Sequence, residues 1–226
     1  MYTKITDMRV VRNIANPTRK DLWLTGHSSG PQNDLDVVPP PPGGFYQPDY
    51  GHVMLANIDR WGNPNPLGGG LSVAYGLDVF RDHVWVVGYS QAEDLTPVQC
   101  PQPLGSGIHW TDQAQPSSGW GQWSDGFILR LNRKNYRLEY GTLIGGDKDD
   151  ILLDVNHNNT HVFITGETRS TYGFSTDLAP QWYFQPQYPN PDNKRDAILL
   201  ALDASTSAVR WRSVFGGSLS DRGWGI

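Results

Sequence analysis

The stretch that decides the fold runs Asp125-Gly-Phe-Ile-Leu-Arg-Leu-Asn132, Leu138-Glu-Tyr-Gly-Thr-Leu-Ile144, Ile151-Leu-Leu-Asp-Val155 and Val162-Phe-Ile-Thr165. Each run is short and rich in β-branched or aromatic residues. Between them stand turn formers: Asn132 to Asn135, the pair Gly145-Gly146, and His157 to Asn159. That alternation reads as four antiparallel strands, placed at 127–131, 138–144, 151–155 and 162–165.

The same succession recurs along the chain. Asp21-Leu-Trp-Leu-Thr-Gly-His-Ser28 and His83-Val-Trp-Val-Val-Gly-Tyr-Ser90 match His161-Val-Phe-Ile-Thr-Gly-Glu-Thr168. His52-Val-Met-Leu-Ala-Asn-Ile-Asp59 and Asp196-Ala-Ile-Leu-Leu-Ala-Leu-Asp203 match the run at Asp125, at spacings of 73 and 71. Glycine pairs at 69–70, 145–146 and 216–217 keep the same order. A fixed period of ordered landmarks marks a repeat architecture. The units are 1–51 (partial), 52–124, 125–195 and 196–226 (partial). Four short strands per unit is the content of one propeller blade. The surplus length falls in three connectors, 30–51, 92–124 and 171–195, which are rich in Pro, Gly, Gln and Trp. Three local readings attach to the repeated residues. The glycine after a β-branched residue ends its strand, the glycine pair supplies positive φ, and the Asp at each strand start caps a turn.

Composition agrees. The 226 residues hold 20 Asp but 3 Glu, 13 Arg but 5 Lys, and 25 Gly with 17 Pro, so turn formers outweigh helix formers. The chain is therefore all-β. A formal net charge of −5 gives no electrostatic reason to bind nucleic acid. No apolar run approaches the roughly 20 residues of a membrane helix. The one cysteine, Cys100, lies in a Pro-rich loop and has no internal partner for a disulfide.

The runs at Asp125 and Leu138, with Asp149-Asp150 and Val162-Phe-Ile-Thr-Gly166, resemble the SBBP ("seven-bladed β-propeller") repeat. Its connector motif is echoed by Phe174-Ser-Thr176 and Phe184-Gln185. The likeness is densest over 119–226 and looser before it. It implies about three four-stranded blades forming part of a larger propeller, or of one completed by neighbouring chains. It also implies an extracellular or cell-surface bacterial protein of the kind that Bacteroidetes-like organisms export by type IX secretion. Residues 1–13 show no signal peptide, so on this reading the chain is expected to lack the start of its precursor.

Chemistry is sparse. No G-x-S-x-G elbow is present. His157 and His161 flank a turn, which removes helical ligand spacing and leaves both as surface turn or strand-edge residues. Glu93, Glu139 and Glu167 offer no evident acid for glycosidase chemistry. The best metal candidate is Asp147, Asp149 and Asp150, three carboxylates after a glycine pair that suit Ca²⁺; the competing reading is a solvated acidic turn. Trp110, Trp120, Trp123 and Trp182 sit in the connectors, where they either stack on glycans and protein partners or pack the loops onto the blade. The expected function is a non-enzymatic scaffold that presents these loops to protein or matrix partners. The alternative is a glycan-binding module, or an accessory part of a secreted glycan-active enzyme.

Overall fold

The computed structural model describes residues 3–12, 18, 20–28, 72–90, 124–134, 138–145, 148–170 and 194–226. Over these residues the chain is all-β. Its strands are β1 (Thr3–Arg12), β2 (Lys20–Ser28), β3 (Ser72–Phe80), β4 (His83–Ser90) and β5 (Asp125–Asn132). There follow β6 (Leu138–Ile144), β7 (Asp150–His157), β8 (His161–Thr168), β9 (Asp196–Asp203) and β10 (Val209–Phe215). β3 to β6 and β7 to β10 form two four-stranded antiparallel sheets, each paired in chain order, and β1 pairs with β2 alone among the described residues. β6 begins and ends where its sequence reads. β5, β7 and β8 are longer at both ends than their apolar runs. Each four-stranded sheet takes its first two strands from one sequence unit and its last two from the next.

One irregularity recurs in every sheet. β1, β3 and β7 each carry a single-residue bulge, at Thr6, Tyr75 and Leu153, between the residues facing Gly26-Thr25, Gly88-Val87 and Gly166-Thr165. The bulge drives the strand's own carbonyl over the glycine. A β-carbon on Gly88 would lie 1.9 Å from the Val73 oxygen, and one on Gly166 would lie 2.1 Å from the Ile151 oxygen. The Thr-Gly signature therefore does not end a strand. It leaves room for a bulge in mid-strand, and β8 continues to Thr168.

Pairing register makes the sheets superimposable position by position, so Trp23, Trp85 and Phe163 correspond, as do Met8, Leu77 and Val155. Their packing repeats as well. One face of the β3–β6 sheet, carrying Leu77, Val84, Val86, Phe127 and Leu129, packs on Trp23 and Val11 of the β1–β2 sheet. Its other face, carrying Trp85, Val87, Ile128 and Tyr140, packs on Leu152, Val155, Ile164 and Leu200 of the β7–β10 sheet. Both faces of the middle sheet are thus apolar, which explains why its strands read as continuous hydrophobic runs rather than alternations. The first strands of the three sheets also share charge. Arg9 pairs with Asp7 at 2.7 Å and lies 3.7 Å from Asp78 and 3.9 Å from Asp154. Of the two sequence readings of His157, surface turn or strand edge, the second holds, since β7 is an edge strand of its sheet. The residue ends β7 half-buried, pairs with Asp78 through Nδ1 and stacks on Phe80 with centroids 4.1 Å apart.

Candidate functional site

Hydrogen-bonded and ion-paired side chains gather where the connectors meet the sheets. Ser28, Ser90 and Thr168 are the last residues of β2, β4 and β8, and they pair with Thr3, Ser72 and Asp150, the first residues of β1, β3 and β7. All three connectors therefore depart from the same end. Two of them also return beside their departure point, since Ser90 pairs with Asp125 and Thr168 with Asp196. Charged side chains hold these feet.

Asp149 and Asp150 are the described members of the predicted calcium turn; Asp147 lies outside the described residues. Asp149 Oδ1 accepts from the Ser124 amide and hydroxyl at 3.1 Å, and its Oδ2 accepts from Arg169 Nη1 at 2.9 Å. Asp150 is fully buried and accepts from the Ser170 hydroxyl at 2.8 Å, while its own amide donates to the Ser124 carbonyl at 2.7 Å. These contacts tie the end of the 92–124 connector to the start of the 171–195 connector. Among the described residues no three His, Cys, Asp or Glu side chains converge to hold a metal ion. Trp110, Trp120, Trp123 and Trp182 lie outside the described residues.

Asp125 does not cap a turn. It is buried, and its Oδ1 fills the space that a side chain on Gly145 would need, 2.1 Å from that β-carbon position, with Asp150 Oδ2 at 2.9 Å. Gly145 and Gly216 keep ordinary backbone dihedrals. Their lack of a β-carbon admits a carboxylate, and Asp196 Oδ1 lies 1.9 Å from the same point at Gly216. Burial, then the nearby Asp149 charge, pushes Asp125 up to about 7. Burial, then Asp221, raises Asp196 in the same direction.

Glu167 is one of the three glutamates in which the sequence offered no evident acid. Its side chain is 4% exposed and lies between two guanidinium groups, Arg195 at Oε1 and Arg222 Nε 2.5 Å from Oε2. Burial raises its pKa, against the opposing pull of Arg195, Arg222 and Arg169. Tyr75, at the neighbouring sheet's bulge, is raised by its own burial and then by the Glu167 charge. No local motif could have revealed this cluster, because Arg195 is 28 positions from Glu167. The only signal was the rarity of Glu in a chain with three. Arg195 is the last residue before β9, so Glu167 anchors the return of the 171–195 connector. Asp149 does the same for 92–124.

No protein-family model matches the chain, and no curated protein sequence matches it significantly.

Proposed function

We propose that the chain is part of a β-propeller of the SBBP type, acting as a non-enzymatic extracellular or cell-surface scaffold whose connectors engage partners. The observation that carries this reading is the anchoring of the connector feet. Long inserts leave one end of repeated sheets, and Asp149, Asp150 and Glu167 fix their first and last residues to the sheet. Such an arrangement separates a rigid base from variable loops, which is how binding surfaces are built on repeat scaffolds. The repeated bulge, the repeated face-to-face packing and the correspondence of three first strands support blades of one kind. A buried, ion-paired Glu167 is accounted for as an anchor and needs no catalytic role.

Replacing residues 92–123 by a Gly-Ser segment of equal length tests the separation. The expected result is unchanged β-sheet circular dichroism and a melting temperature within a few degrees of the parent. Loss of the folded state would make the connector part of the core and sink the scaffold reading. A glycan array read with tryptophan fluorescence then sorts the partners. Sugar-dependent quenching that disappears when Trp110, Trp120 and Trp123 become Ala would replace protein partners by glycans.

A further inference from the structure

Two buried carboxylates from different sheets meet at Gly145. Asp125 is the first residue of β5 and Asp150 the first of β7, and they are 2% and 0% exposed. Asp125 Oδ1 lies 2.1 Å and Asp150 Oδ2 lies 2.9 Å from the position a β-carbon on Gly145 would take, so these oxygens stand no more than about 5 Å apart. The buried Ser170 hydroxyl sits 2.8 Å from the same Asp150 oxygen and adds a third oxygen to the place.

Charge is not balanced there. Asp125 Oδ2 is buried without a hydrogen-bond partner, and no Lys, Arg or His among the described residues pairs with Asp125. The charge that acts on it is another carboxylate, Asp149. Asp149 differs, because Arg169 neutralises it at 2.9 Å and Ser124 donates to its other oxygen. A buried carboxylate is strongly unfavourable when ionised without a counter-charge. The unmet oxygen of Asp125 therefore marks a place for a positive partner.

We propose that Asp125 and Asp150 hold a calcium ion that clasps the β3–β6 sheet to the β7–β10 sheet. Calcium–oxygen bonds of roughly 2.3–2.6 Å let one ion bridge oxygens up to about 5 Å apart, which is the span available at Gly145. The donors are hard oxygens, two carboxylates and a hydroxyl, a set that suits calcium or magnesium rather than zinc or copper. Calcium tolerates irregular geometry and takes further ligands from carbonyls and water, so it needs no third carboxylate; magnesium demands a near-ideal octahedron. The site is not the acidic turn read in the sequence. Asp125, from the neighbouring sheet, takes the place of Asp147 and Asp149.

The arrangement returns once, in weaker form. Asp196 Oδ1 lies 1.9 Å from the equivalent point on Gly216. Asp221 corresponds to Asp150, since its amide donates to the Arg195 carbonyl as that of Asp150 does to Ser124. Asp196 and Asp221 are only half-buried, however, and Asp221 Oδ2 accepts from the Gly217 amide at 2.8 Å. The fully buried pair is the site. An ion there ties the return of the 92–124 connector to the first strand of the next sheet, which goes beyond the scaffold reading and does not depend on it.

Calorimetric titration of calcium into the EDTA-stripped full chain at pH 8, with thermal melts in parallel, tests the site. The parent should bind one ion tightly and melt several degrees higher with calcium than without. Asp125→Asn and Asp150→Asn should each weaken binding about tenfold or more and lose the melting shift, while Asp147→Asn should keep both. The proposal is overturned if the parent is indifferent to calcium, or if Asp125→Asn responds as the parent does. A response lost in Asp147→Asn and kept in Asp125→Asn also overturns it, by moving the ion to the acidic turn. Where one Asn variant fails to fold the other carries the comparison, and indifference of the parent decides against the site without either. None of these outcomes touches the scaffold reading, which the connector replacement tests.

Discussion

Asp125 and Gly145 share one space: the carboxylate of the first occupies the volume that any side chain on the second would fill, 2.1 Å from its β-carbon position. Asp150 Oδ2 adds a second close contact at 2.9 Å. Gly145→Ala should therefore destabilise the fold by about 1–3 kcal/mol, the usual cost of overpacking. Gly216→Ala should behave likewise against Asp196. Gly217→Ala, whose nearest neighbour is Asp221 at 3.9 Å, should shift the urea midpoint little. Equal midpoints for all three variants would show that the carboxylates move aside freely.

Asp125 also sets a pH dependence. Its folded-state pKa is raised, from 3.8 to about 7, so the native state holds the proton more tightly than the unfolded chain. Ionisation then costs stability: the protein loses it as pH rises from about 4 through 7 and loses no more above that. The loss is about 4 kcal/mol at most, taking roughly 1.4 kcal/mol per pH unit. His83, held below its ordinary value chiefly by burial, slopes the opposite way below its ordinary value of 6.5. The clean measurement is the difference between parent and Asp125→Asn, which should shrink the fall between pH 4 and 7. Parallel curves would refute the assignment.

Glu167→Gln removes the charge between Arg195 and Arg222 while keeping the shape. A buried ion pair broken on one side typically costs about 3–5 kcal/mol, and the partial exposure of Arg222 places the expectation at the lower end. Because Arg195 precedes β9, limited proteolysis within 171–193 should also quicken relative to cleavage within 92–123, whose foot is held by Asp149. Uniform acceleration would point to global loosening rather than a released anchor.

Trp85 and Phe163 occupy equivalent positions on covered and open faces. Trp85→Ala should cost about 3–5 kcal/mol, as for large buried aromatics. Phe163→Ala should cost distinctly less in dilute protein. Urea denaturation of both variants reads the two costs, and equal losses would show that Phe163 is covered as fully as Trp85.

The fold was more legible than the site, for reasons visible in single residues. β6 reads to its ends because Leu138 and Ile144 bound an uninterrupted run followed by glycine. β7 reads short, since the bulge at Leu153 shifts the alternation by one and hides Asn156 and His157. β1 and β3 escape notice for the same cause: Thr6 and Tyr75 break their period, and β1 turns an apolar face outward. The carboxylate pairs failed in a different way. A strand-initial Asp looks like a turn former until the glycine 20 positions later is seen to make room for it. Glu167 finds its arginines only through strand pairing, which no local window contains.

The connector feet have a further use. Ser90 and Asp125 face each other directly, so the 91–124 insert enters and leaves through a gap of about 5 Å between antiparallel neighbours. A polypeptide spliced there meets one geometric demand, that its two termini lie side by side. Many folded domains satisfy that condition. The sheet end is therefore a ready grafting port, at which whole modules can be exchanged while the strands beneath keep their register.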